Sequence, residues 1–192
     1  MHSTIQNLIN IENKIKLNLK EIENPNKPKI IAVSKTFAID KILPLINHGH
    51  IDFGENKVQE AVNKWTDIKI KNSNIRLHMI GKLQTNKVKF AVKLFDFIHS
   101  VDSLKLAKKI ADEQKKINKK IKVFLQINIG EEDQKSGINK DEANQMVAYC
   151  KEIGLDLIGL MCIPPAKVNP NNYFKEMNKL NKSFGFEELS MG

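Results

Sequence analysis

Lys35 stands in the run Ala32-Val33-Ser34-Lys35-Thr36, two residues beyond Val33 and four beyond Ile31. In an extended segment those three residues share one side, so the amine is set above an apolar strip. Desolvation disfavours an ammonium and frees the neutral amine, the form that attacks an aldehyde or ketone carbonyl. A solvated lysine where a strand leaves the core produces the same pattern. Asn56, in Gly54-Glu55-Asn56, offers a neutral amide to a ring substituent, and Gly54 permits close backbone approach to a ligand. A helix cap or turn asparagine is the competing reading. His78 shares its side of a strand candidate with Ile80, as an acid, a base or a satisfied core histidine. Met161 and Cys162 lie in an apolar run, where a methionine can pack against a flat ligand. Ser190, Met191 and Gly192 bring a hydroxyl and backbone amides of the kind that hold phosphate in late loops of barrels.

These residues need elements to bring them together. Short apolar runs at 30–33, 51–53, 77–80, 95–100, 123–129, 157–163 and, weakly, 189–191 read as strands. Helical stretches at 40–47, 57–65, 86–94, 103–117 and 140–153 fall between them, with Asn86 a candidate cap. An amphipathic helix over 3–22 comes first, and Asn24-Pro25-Asn26-Lys27-Pro28 stops it. Continuous apolar strands separated by helices indicate a parallel sheet covered by helices. Ser34 to Thr36, Gly54 to Asn56, Gly81 to Lys87 and Ser190 to Gly192 all fall at carboxyl ends of strands, where α/β folds place their sites. An open doubly wound sheet and a closed (β/α) barrel both fit. No GxGxxG follows the first strand, which disfavours dinucleotide binding. A barrel typically needs about 250 residues, and this chain has 192, leaving no room for an eighth strand.

The composition removes other classes. Lys and Arg total 31 against 22 Asp and Glu, giving +9, yet only Arg76 is an arginine. The lysines are spread through every segment and aromatics make up 6%, so neither a phosphate-tracking patch nor a stacking platform is expected. Two cysteines, Cys150 and Cys162, form no disulfide framework or zinc pattern. There is no HExxH, Walker loop or GxSxG. No apolar stretch approaches a membrane span and the N-terminus is unlike a signal sequence, so a reduced cytoplasmic compartment is expected. The chain reads as a single domain over 1–192, with an N-terminal helix over 1–24 and βα units over 29–192.

Taken together the motifs resemble the YggS/PROSC family of pyridoxal phosphate homeostasis proteins. The resemblance rests on Ala32 to Thr36, Phe53 to Glu60, His78 to Lys87, His99 to Ser103, Gln126 to Ile129, Lys135-Ser136-Gly137, Gly159 to Met161 and Leu189 to Gly192, in the family's order. It implies an α/β fold, the TIM-type barrel of alanine-racemase-like proteins. It also implies that Lys35 forms an internal aldimine with pyridoxal 5'-phosphate (PLP). Asn56 is then beside the ring, His78 and Met161 line the site, and Ser190, Met191 and Gly192 begin the phosphate wall. The implied role is PLP binding and buffering without turnover, as a monomer, with PLP-dependent enzymes as possible recipients and neither nucleic acid nor membrane as partner. A racemase-like enzyme is the alternative. A racemase needs two opposed acid/base groups, and Tyr149 and Tyr173 are expected in a helical stretch and a loop. In the family a helix and a last strand bearing an arginine follow Leu-Ser-Met-Gly. Their absence here leads to the expectation of a fragment, with an incomplete barrel, weak PLP binding and poor stability.

Overall fold

The computed structural model describes residues 2–21, 28–132 and 136–192. Ile22, most of the proline-bounded stop at 24–28, Asp133, and Lys135 of the Lys-Ser-Gly motif lie outside them. Helix α1 (Ser3–Glu21) comes first. Strands β1 (Ala32–Val33), β2 (Asp52–Glu55), β3 (Arg76–Met79), β4 (Phe97–Val101), β5 (Lys122–Gln126), β6 (Asp156–Cys162) and β7 (Glu188–Met191) then alternate with α2 (Ile39–Asn47), α3 (Val58–Lys71), α4 (Val88–Leu94), α5 (Leu104–Lys116), α6 (Ala143–Glu152) and α7 (Asn171–Ser183). All seven strand candidates form.

The sheet is parallel throughout and its spatial order is its chain order, β1 to β7. A doubly wound sheet reverses strand order at a switch point; this one never reverses, so the barrel is the architecture of the two that fits. Rolling follows from one contact. In a flat sheet, strand spacings of about 4.8 Å would set β1 and β7 about 29 Å apart. Yet Lys29, just ahead of β1, reaches Glu188 at the start of β7, with Nζ 3.1 Å from Oε1. The described sheet is therefore a curled, open barrel whose two edge strands face each other.

Strand alternation divides the residues between its faces. Phe53, Leu77, Met79, Ile98, Val123, Leu125 and Leu160 pack with Ala61, Trp65, Ala91, Ile110 and Met146 of the helices in the main core. The opposite face of each strand supplies the interior, which is why it carries polar and aromatic groups. No described helix is long and apolar enough to cross a membrane.

Two readings change. Tyr173, expected in a loop, lies on helix α7, which was not among the helical stretches named from sequence. Asn86 caps nothing: Thr85–Lys87 form a 3-10 turn, and the residue ahead of α4 makes no side-chain cap bond.

Gly159 fixes how closely β7 approaches β6. The two residues Gly159 and Glu188 are register partners, and a Cβ on Gly159 would land on the Glu188 carbonyl oxygen. Backbone cannot yield there as a side chain could. Gly159→Ala is expected to lower unfolding free energy by about 1–3 kcal/mol. Amide hydrogen exchange should localise the damage by accelerating at Leu189 to Met191 more than in β3.

Candidate functional site

The strand ends frame one cavity of about 1570 Å³. Lys35, Asn56, His78, Met161, Ser190, Met191 and Gly192, scattered over the sequence, all line it. Ile31 and Val33 line it beneath Lys35, as the shared side of the strand requires. The expectation of a desolvated amine needs correction, however. Lys35 is exposed, and Val33 below it is 45% exposed, with β1 an edge strand of the sheet among the described residues. The Lys35 amine has no hydrogen-bond or ion-pair partner among the described residues.

The lysine is held through its neighbours. Buried Ser34 donates from Oγ to Glu55 Oε1 at 2.9 Å. Thr36, at φ 64°, donates its backbone N–H to Glu60 Oε1 at 2.8 Å. Lys64 Nζ joins the parts, donating to the Ser34 carbonyl at 2.9 Å, to Glu55 at 3.0 Å and to Glu60 at 3.1 Å. A residue without glycine's freedom is thus kept in a left-handed turn by a carboxylate.

Asn56 stands just before α3, but Lys57 occupies the cap position and makes no side-chain cap bond. The Asn56 amide is therefore not engaged as a cap and lines the cavity. Gly81 brings the end of β3 against it: a Cβ there would sit 2.5 Å from the Asn56 carbonyl oxygen and 2.7 Å from its Cα. Gly54 acts differently from the expectation. A Cβ on it would meet Ile80 Cδ1 at 2.9 Å and Ile31 Cγ2 at 3.1 Å, so it makes room for those side chains and not for a ligand.

Across the floor runs a polar chain. Arg76 Nη2 donates to Asp52 Oδ2 at 2.5 Å, and Asp52 Oδ1 lies 2.9 Å from His78 Nε2. His78 Nδ1 lies 2.9 Å from His99 Nε2, and His99 Nδ1 lies 2.8 Å from Ser190 Oγ. Phe97 stacks on His78 at 4.3 Å and Phe124 on His99 at 4.4 Å, and both rings line the cavity with the imidazoles. Burial would raise the Asp52 carboxyl, but hydrogen bonds from His78 and Arg76 outweigh it and hold the group below its ordinary range. Burial, aided by the neighbouring His78, pushes His99 down to about 3, so it is neutral. Burial also moves Cys162 up to about 11, an inert core thiol.

Asp52, Arg76 and His99 were not among the candidate site residues read from sequence. Their signal was the alternation itself: Asp52 interrupts the apolar run 51–53 on the side opposite Phe53, and His99 repeats the side of Phe97. Gly192 also departs from expectation, since its N–H bonds to the Cys162 carbonyl at 3.3 Å and extends the sheet ladder. The Ser190 hydroxyl remains the polar group that this stretch turns toward the interior.

The chain's similarities agree with this geometry. Residues 7–185 match the family described as alanine racemase, N-terminal domain. The pyridoxal phosphate homeostasis protein of Haemophilus influenzae is 38% identical over 189 residues, covering 95% of this chain and 77% of that protein. That of Pasteurella multocida is 33% identical over 202 residues, covering 97% and 85%. The chain belongs to the pyridoxal phosphate homeostasis protein family. Among solved structures, PipY of Synechococcus elongatus with PLP bound shares 28% identity at a TM-score of 0.78, covering 93% of this chain and 88% of that one. An alanine racemase of Clostridium difficile, 17% identical at a TM-score of 0.68 over 94% of this chain and 50% of its own, shares the fold. In this homeostasis-family chain the alanine-racemase barrel therefore carries a lysine at the mouth and an Asp–His–His–Ser chain across the floor.

Proposed function

We propose that this chain binds pyridoxal 5'-phosphate and acts in intracellular PLP homeostasis as a carrier without turnover. The observation that carries the reading is the convergence of the unpartnered Lys35 amine with Asn56, His78, Met161 and Ser190 to Gly192 on one cavity. The residues fit the cofactor. The cavity exceeds the roughly 300–1,000 Å³ of small-molecule sites. When bound, the cofactor supplies an aldehyde that a lysine amine can hold covalently and reversibly. Lys35 is the residue for that carbon, with the uncommitted Asn56 amide beside the ring, His78 and Met161 along its sides, and Ser190 toward the phosphate. The PLP-bound PipY structure supports the assignment.

Carrier is favoured over racemase by where the tyrosines lie. Tyr149 on α6 and Tyr173 on α7 pack on the helix side of the core, and neither lines the cavity. Both cavity histidines are hydrogen-bonded to each other, so neither stands free opposite Lys35 as a second acid/base group. In this reading the protein is a cytoplasmic monomer that passes PLP to recipient enzymes.

The test is to add PLP, record the visible band of a lysine-bound cofactor, trap the adduct with borohydride and map it. Modification is expected at Lys35, and Lys35→Ala should lose the band. With 30 lysines in the chain, non-specific reaction is a real competitor; label spread over the surface lysines would reject the reading. Incubation of the loaded protein with single L-amino acids should give no sustained inversion or CO2 release, and either would reject the carrier role.

A further inference from the structure

Lys35 is one of 30 lysines, and burial does not set it apart, because it is exposed. Position is what remains: a reacting group fixed in the geometry of attack gains orders of magnitude in effective concentration over a free one. Both backbone neighbours of Lys35 are tied to α3. The Ser34 carbonyl accepts from Lys64 Nζ at 2.9 Å, and the Thr36 N–H donates to Glu60 Oε1 at 2.8 Å. Lys64 also donates to that same Glu60 oxygen, which closes the clasp. Glu60 and Lys64 lie one turn apart on a helix whose Val58, Ala61 and Trp65 are buried in the core, so the clasp has a rigid support.

We propose that Glu60 is a positioning residue that holds the Lys35 amine at the cavity and so directs an aldehyde ligand to this lysine and away from the others. Thr36 makes the clasp necessary. Its φ of 64° is in the left-handed region, which a β-branched residue enters only at a cost. Released from Glu60, Thr36 relaxes to negative φ and the chain direction at Lys35 turns with it. The Thr36 N–H, and then Lys64, hold the Glu60 carboxyl below its ordinary range, so near neutral pH it is ionised and accepts from both. The covalent step needs nothing more from Glu60, which does not line the cavity. Lys35 Nζ gives one proton to solvent, its nitrogen bonds to the aldehyde carbon, and the carbonyl oxygen leaves as water with the two remaining amine hydrogens. The proposal rests on the reading of Lys35 as the aldehyde-binding residue given above.

Glu60 separates this role from the stability of the fold better than Glu55 does. Glu55 is fully buried and also carries the Trp65 indole, so its loss reaches the core. The Glu60 side chain is 30% exposed, and without it Lys64 keeps both the Ser34 carbonyl and Glu55. Replacing Glu60 therefore loosens the turn and spares the core. In Glu60→Gln an amide oxygen takes the place of Oε1 and serves both Thr36 and Lys64. The amide nitrogen replaces Oε2, which accepts no hydrogen bond from a described residue.

Two aldehydes read the clasp. Formaldehyde with cyanoborohydride methylates any accessible amine and needs no cavity, whereas PLP trapped with borohydride reports the seated ligand. Peptide mass spectrometry follows each at Lys35 against the other lysines. In Glu60→Ala the ratio of PLP label at Lys35 to label elsewhere is expected to fall by about tenfold or more. Methylation of Lys35 should keep its wild-type rate, and the urea midpoint should stay near wild type. Glu60→Gln should return the PLP label to Lys35. Undiminished PLP labelling of Lys35 in Glu60→Ala overturns the proposal and leaves PLP binding intact. An equal fall in methylation, a collapsed urea midpoint that accounts for the lost label, or a glutamine variant no better than alanine does the same. Absence of selective labelling at Lys35 in the wild-type protein overturns the PLP reading and this proposal with it.

Discussion

Glu55→Ala is expected to lower the unfolding free energy by about 3–5 kcal/mol, the usual result of removing one partner from a buried ion pair. Glu55 is fully buried, and its Oε1 accepts from Ser34, from Lys64 and from Trp65 Nε1 at 2.9 Å. Alanine leaves the Trp65 indole N–H and the Lys64 ammonium, whose side chain is only 10% exposed, without that acceptor. Each unmet buried polar group adds its own desolvation cost. Glu55→Gln keeps an oxygen for Trp65 and Ser34 while losing the charge opposite Lys64, and should fall between wild type and alanine. Urea unfolding gives the numbers, with a lowered midpoint at unchanged slope marking a stability effect. A loss below about 1 kcal/mol for the alanine variant would contradict the account, because surface ion pairs are worth that much at most.

The same variant explains why the motif around Glu55 was only half legible. Gly54, Glu55 and Asn56 read in sequence as one polar cluster, but neighbouring residues leave a strand on opposite sides. Asn56 turns to the cavity, whereas Glu55 turns outward under α3 and, with Glu60 and Lys64, fixes the Ser34-Lys35-Thr36 turn from behind. The glutamates hold the lysine's backbone and make no part of the cavity wall.

Legibility elsewhere followed physical range. Strands β2 to β6 each carry apolar residues into the core and stood out as runs, whereas β7, with Glu188 and Met191 exposed, showed only weakly. Helix α7 did not stand out, although Tyr173, Phe174, Met177 and Leu180 have helical spacing. Prolines at 164, 165 and 170 and a wealth of asparagine mimic a loop there; yet proline suits the start of a helix, and Pro170 sits at the N-cap. The pairing of His99 with Ser190 spans 91 positions and exists only because the sheet curls until β7 faces β4 across the interior. No local pattern encodes that. Lys35 shares the cavity side with Ile31 and Val33 as its spacing implies, but its solvent exposure, on an edge strand of the described sheet, is a matter of long-range order that its own residues do not record.

Acid should destabilise the protein well above the range of its carboxylates. His99 is buried as the neutral imidazole, its folded value lowered to about 3 from an ordinary 6.5. Between those values the unfolded chain binds a proton that the native state refuses, so stability falls as pH drops below about 6.5, by up to about 1.4 kcal/mol per pH unit. From about pH 7 to pH 5 this one group removes about 2 kcal/mol. Asp52 works in a lower window. Its folded value lies below the ordinary 3.8, so its contribution is complete above that value and is lost only as pH falls through the folded one. The two are separable by urea unfolding at several pH values in wild type and His99→Gln. The glutamine does not titrate; it should lower stability near neutral pH by loosening the contacts to His78 and Ser190, and flatten the slope between pH 5 and pH 7 by about 1 kcal/mol per unit. Equal slopes in the two proteins would mean that His99 takes up its proton without unfolding, and that the floor chain does not hold it neutral.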